Sequence, residues 1–123
     1  MKVLSPTIHG ILDYIVVIAF ALAPALLGLS GLPAAISYLL AVVHLLLTLA
    51  TAFPLGAVKL VPLPLHGAIE LVVSIALVAL PWILRFTQDT VARDFYLGAG
   101  GLIFVVWLIT DYSAADEHLT AHR

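Results

Sequence analysis

Cysteine is absent from the 123-residue chain, and charge is scarce: five Lys and Arg stand against seven Asp and Glu, a formal net charge of −2. The first absence removes disulfides, thiolate chemistry and cysteine-ligated metals. The second leaves no basic surface, so no nucleic-acid partner is expected. Catalytic motifs are missing too. No glycine loop resembles a phosphate cradle, no serine has an activated-nucleophile context, and the spacings H-x-x-x-D and H-x-x-x-E are not the H-E-x-x-H of zinc hydrolases. A non-enzymatic role is favoured.

What the chain does have is apolar material, 63% of its residues, more than a soluble domain of this length can enclose. Between residues 14 and 58 the only titratable positions are Tyr14, Tyr38 and His44. A run of that kind reads as an integral membrane protein whose outer faces meet lipid. The opening MKVLSPTIHG places one lysine before an apolar segment, as a signal peptide does. However, Asp13 interrupts the apolar core and the same pattern recurs internally at Glu70, so this segment is expected to stay as the first span.

The recurrence organises the chain. PTIHGILDYIVVIAF, from Pro6, is echoed by PLHGAIELVVSIALVALPWIL, from Pro64. An offset of 57 residues aligns His9 with His66, Gly10 with Gly67, Asp13 with Glu70, Pro24 with Pro81 and Tyr38 with Phe95. The halves run over about residues 5–55 and 62–112, followed by a polar tail over 113–123. The expected fold is all-α: a four-helix transmembrane bundle made of two tandem, similarly oriented hairpins in a single membrane domain.

Helix 1 is predicted over 6–27, with Ser5 as cap and Pro6 in the first turn. Helix 2 follows over 34–53 after the turn 28–33, helix 3 opens at Pro64 after a loop over 54–63, and helix 4 runs over 95–112 after a polar loop over 85–94. No sheet is required. Gly98, Gly100 and Gly101, with Gly10 and Gly67, suit close helix packing, the latter two between helices 1 and 3. Trp82 and Tyr96 are expected at one membrane boundary, Tyr112 and Trp107 at the other. Four spans put the termini and Lys59 on one side; Lys2 and Lys59 against Arg85 and Arg93 favour a cytoplasmic placement of that side.

The second half, with LPWILRF at 80–86 and FYLGAGGLIFVVWLITDY from Phe95, resembles the SPW-repeat family of small bacterial and archaeal membrane proteins. Pro81 and Trp82 match its motif, while Leu80 replaces the serine; in the first half Pro24 remains and Ala25 stands where tryptophan belongs. The resemblance implies a duplicated two-helix membrane unit in a prokaryotic cytoplasmic membrane and supplies no catalytic residues.

Within the spans lies one polar constellation. His9 and Asp13 are four residues apart, as are His66 and Glu70, so each pair shares a helix face, about 10 Å from the Lys59 side. His44, on the returning helix 2, reaches a similar depth. Tyr14, Tyr38 and Thr48 are candidates for surrounding it. Charges at this depth face a bundle interior or an aqueous cavity. Three uses compete: a structural or interaction module in which the groups satisfy one another; a metal site on His9, Asp13, His66 and Glu70 for a divalent transition metal, or haem held by His9 and His66; and proton-linked passage of a small solute. Membrane lipid is the expected partner, with a second copy or another membrane protein as further candidates.

Overall fold

A computed structural model describes residues 2–112; the tail over 113–123 lies outside the described residues. Among them, four helices are long and apolar enough to cross a membrane: α1 (Pro6–Leu27), α2 (Gly31–Leu49), α3 (Leu63–Ile83) and α4 (Thr90–Ile109). At about 1.5 Å per residue they measure roughly 28–33 Å, the thickness of a bilayer's hydrocarbon core. A third or less of each span's most apolar window is buried, 33%, 28%, 33% and 28% in order. The rest is apolar surface, such as Leu26, Val72 and Ile83, that water would not tolerate, and it points to a membrane protein.

α1 packs chiefly on α2 and α3 on α4, giving two hairpins. Ser5 caps α1 by accepting from the Ile8 N–H, and Pro6 occupies the first turn, where no donor is needed. Gly28 ends the helix in a left-handed conformation that other residues resist. Pro24 lies inside α1 and has no N–H, so the Phe20 carbonyl loses its helical partner. The Ser37 hydroxyl of α2 donates to that carbonyl instead, at 2.7 Å.

Several boundaries differ from expectation. α2 begins three residues early, because Pro33 is accommodated in its first turn, and it stops at Leu49 rather than at residue 53. α4 begins at Thr90 because Asp89 caps it, accepting from the Ala92 N–H; the expected loop over 85–94 shortens accordingly. A short parallel pairing appears where no sheet was required, β1 (Thr51–Ala52) against β2 (Val61–Pro62). Its counterpart is a parallel bridge between Leu4 and Thr110. Both satisfy carbonyls left unpaired at a helix C-terminus. Leu60 and Val61 donate to the Ala50 carbonyl, while Val3 and Leu4 donate to that of Ile109. Lys59 and Lys2 add a donor each, to the Phe53 and Leu108 carbonyls.

The repeat therefore survives in three dimensions with one change. α1 and α3 match at an offset of 57, with His9/His66, Asp13/Glu70, Phe20/Leu77 and Pro24/Pro81 all buried. α2 and α4 match at 59: Pro33 with Ala92, Ser37 with Tyr96, Ala41 with Gly100, His44 with Ile103 and Thr51 with Thr110 are buried pairs. The longer α3–α4 connection supplies the two extra residues, so Tyr38 and Phe95 are not equivalents.

An apolar cluster of Phe20, Ala23, Leu29, Leu77, Phe86 and Tyr96 fills the end far from the termini. Tyr96 is fully buried there rather than at a boundary, and its hydroxyl donates to the Pro33 carbonyl across the hairpins at 2.6 Å. Of the three α4 glycines expected to pack closely, Gly100 does so and Gly98 and Gly101 do not. A methyl at Gly98 or Gly101 would meet nothing, whereas one at Gly100 would come within 2.8 Å of the Ser74 carbonyl oxygen.

Two outcomes follow from this packing. Cysteine introduced singly into the cysteine-free chain at Lys2 or Lys59 should react with a membrane-impermeant maleimide from one side of sealed vesicles, and at Ser30 or Thr90 from the other; a mixed result within either pair contradicts the topology. Gly100→Val should lower stability in detergent by about 1–3 kcal/mol through overpacking, while Gly98→Val should be nearly silent.

Candidate metal centre

Between the far apolar cluster and the termini, five titratable side chains converge. α1 contributes His9 and Asp13, α3 His66 and Glu70, and α2 His44, all buried. The one-turn spacing seen in the sequence does place each histidine beside its acid: His9 Nε2 is 3.2 Å from Asp13 Oδ2, and His66 Nε2 is 2.9 Å from Glu70 Oε1. The crossed pairs are as close, His9 Nε2 to Glu70 Oε2 at 2.9 Å and His66 Nε2 to Asp13 Oδ2 at 3.0 Å. His44 approaches from one side, its Nε2 3.3 Å from Asp13 Oδ1 and 3.6 Å from Glu70 Oε1.

The proton positions follow from two threonines. The Thr51 hydroxyl donates its single proton to the Leu47 carbonyl one turn back, and the Thr110 hydroxyl donates likewise to that of Val106. Toward the histidines, both oxygens can therefore only accept. His66 Nδ1 lies 2.7 Å from Thr51 Oγ1 and His9 Nδ1 2.7 Å from Thr110 Oγ1, so both Nδ1 atoms carry hydrogen. In a neutral imidazole that leaves the lone pair on Nε2, aimed at carboxylate oxygens about 3 Å away. Lone pair against anion is repulsive, so these contacts need a positive charge, either a proton on Nε2 or a metal ion. His9 Nε2, Asp13 Oδ2 and Glu70 Oε2 are moreover buried with no hydrogen-bond partner among the described residues, although their separations are short enough for one.

One atom from each of His9, Asp13, His66 and Glu70 fits within a 4.8 Å spread. Ligands about 2.1 Å from a transition metal sit about 3.0–3.4 Å apart when adjacent. The histidine–carboxylate contacts already match that separation. A porphyrin does not fit, since the His9 and His66 ring centroids are 5.6 Å apart at 78° and both carboxylates reach the two Nε2 atoms. The cavity adjoining Asp13 and Glu70 is about 40 Å³.

A second apolar layer closes the centre on the terminal side, where Phe53 and Leu63 are buried and Leu55 and Tyr112 pack on them. This layer explains the repeated glycines. A methyl at Gly10 would run into the Phe53 ring, and one at Gly67 would come within 2.7 Å of the Tyr112 ring. The two glycines thus admit aromatic rings and do not serve as a contact between α1 and α3. The same rings face the histidines, Tyr112 to His9 with centroids 5.6 Å apart and Phe53 to His66 at 6.3 Å. Burial, with the Glu70 and Asp13 charges adding to it, pushes the Tyr112 phenol pKa up, so it remains a hydroxyl.

The expected surrounding residues fare differently. Tyr38 is half exposed and away from the acids. Tyr14 turns its hydroxyl to the Leu55 carbonyl at 2.8 Å, tying the terminal layer to α1. Thr48 is buried but donates to the carbonyl of His44. The partners that sequence reasoning missed are Thr51, Phe53, Thr110 and Tyr112. Their signal was the pairing T-x-F and T-x-Y after α2 and α4, hidden by the change of offset.

Thr110→Val should leave the buried His9 Nδ1–H unpaired and cost about 1–3 kcal/mol in an unfolding titration, clearly more than Thr48→Val, whose hydroxyl serves only its own helix. Comparison of the chain with family models, with curated proteins and with solved structures finds no match.

Proposed function

We propose that this is an integral membrane protein that holds one divalent transition-metal ion between its two hairpins. His9 and His66 supply Nε2, Asp13 and Glu70 supply one oxygen each, and His44 holds the second oxygen of Asp13 in place. The observation that carries this reading is the pair of threonine acceptors, which turn both Nε2 lone pairs toward two carboxylates. Two imidazoles and two carboxylates form a nitrogen–oxygen set suited to zinc, iron or manganese; two carboxylates balance the charge of a divalent ion, which matters where water is excluded. The threonine bonds are the outer support that metal-binding histidines ordinarily have.

A second reading rests on the same contacts. Two protons in place of the metal, one on each Nε2, would also make the centre neutral and would turn it into a structural tie between hairpins. In both readings the hairpins are one duplicated SPW-like two-helix unit, supported by the equivalent Pro24 and Pro81, and the centre lies toward the cytoplasmic face, supported by Lys2 and Lys59.

Protein purified without a histidine tag should carry near-stoichiometric metal, lost in His9→Ala and His66→Ala. Thr51→Val should weaken its affinity about 10–100-fold without touching a ligand. If no metal is retained or taken up on reconstitution, yet the alanine variants fail to assemble, the proton-bridged tie replaces the metal centre.

A further inference from the structure

The centre is nearly twofold symmetric, and besides the Asp13/Glu70 and Phe53/Tyr112 differences it departs from symmetry most at one position. On the α2–α3 side His44 closes on Asp13 and Glu70. Its equivalent on the α1–α4 side, 59 residues on, is Ile103, which is buried and has no polar atom to offer. There the small cavity opens, about 40 Å³, lined by Asp13, Glu70, Leu12, Ile103 and Val106 and walled by Val16 and Leu102. It has room for one or two water-sized groups. Val16 and Leu102 also wall a larger hollow of about 270 Å³ further along the α1–α4 seam, lined by Phe20, Phe95 and Gly98 among others. Leu102 and Gly98 are exposed on the outer surface, and α1 and α4 touch far less than the helices within a hairpin.

Resting on the metal reading above, we propose that the ion keeps one coordination position open on the α1–α4 side, and that a small uncharged molecule reaches it from the lipid through this seam. Four side chains converge as ligands with His44 backing their carboxylates on one side, and the sixth group that symmetry would supply on the other is replaced by an aliphatic side chain beside a cavity. An open position next to a shaped, dry cavity is what separates a metal that binds or transforms a ligand from one that only holds a fold. The apolar walls select the ligand class: an ion would have to shed its hydration in hydrocarbon, whereas a small neutral diatomic or water-sized molecule partitions there at little cost.

The test uses the full chain in nanodiscs of uncharged lipid, loaded anaerobically with ferrous iron, with nitric oxide as probe. About one iron–nitrosyl per iron should form, seen by absorption and EPR. Ile103→His, which restores the twofold, should retain iron and bind nitric oxide about tenfold more weakly or worse. Leu102→Trp, at an exposed position that should not disturb folding, should leave iron content unchanged and slow nitrosyl formation. Iron without any nitrosyl in the parent protein would mean a closed coordination shell and would overturn the inference while leaving the metal centre standing. Equal nitrosyl affinity in folded Ile103→His would place the open position elsewhere, and an unchanged rate in Leu102→Trp would remove the seam as the route. A chain that takes up no iron or other divalent metal would remove both proposals.

Discussion

The hydrogen bond from each histidine Nδ1 to a threonine oxygen is the constraint on which the centre depends. Each threonine gives its own proton to a carbonyl one turn back and has only lone pairs left for the imidazole. The imidazole is thereby fixed in orientation, with Nε2 facing the carboxylates either as a lone pair for a metal ion or as a proton donor. In a low-dielectric interior, uncompensated contacts of this kind are costly, so the centre needs a proton or a metal ion at each Nε2. The remaining features shield it from solvent. Phe53 and Tyr112 cover the terminal side, admitted by Gly10 and Gly67, and the aromatic cluster around Phe20 and Tyr96 seals the other.

Duplication explains how a chain this short builds such a site. Each hairpin packs mainly on itself and brings a paired histidine and acid and one threonine, the first adding His44, yet each threonine serves the histidine of the opposite hairpin: Thr51 follows α2 and holds His66, while Thr110 follows α4 and holds His9. The backbone repeats the exchange, since the segment before α3 pairs with the end of α2 and the segment before α1 with the end of α4. The centre, the Tyr96–Pro33 bond, the apolar cluster around Phe20 and Leu77 and the two backbone pairings hold the halves together.

Four helices, two hairpins and the five converging side chains were legible in the sequence because each rests on a rigid period. Four residues bring a side chain back to the same face of a helix, so His9 and His66 had to lie near Asp13 and Glu70 once the helices were recognised. Legibility ended where the chain leaves a helix. Thr110 and Tyr112 reach the centre through an irregular stretch after α4, whose geometry depends on a parallel bridge to Leu4 more than a hundred residues away. The fixed offset of 57 also misled, since the longer α3–α4 connection shifts the second half of the repeat by two and hides Thr51 from Thr110. The repeated glycines were correctly singled out for close packing, but their neighbours are rings from the terminal layer, a tertiary contact that no local pattern encodes.

The central claim is a statement about where two protons are and are not, and nitrogen-15 NMR of histidine-labelled, zinc-loaded protein reads it directly. His9 and His66 should each show a proton attached to Nδ1 and a metal-shifted Nε2 without one, both signals reverting on chelation. Protons on Nε2 of both residues in the zinc-loaded protein, with Nδ1 unprotonated, would contradict the threonine-directed geometry and the metal centre built on it.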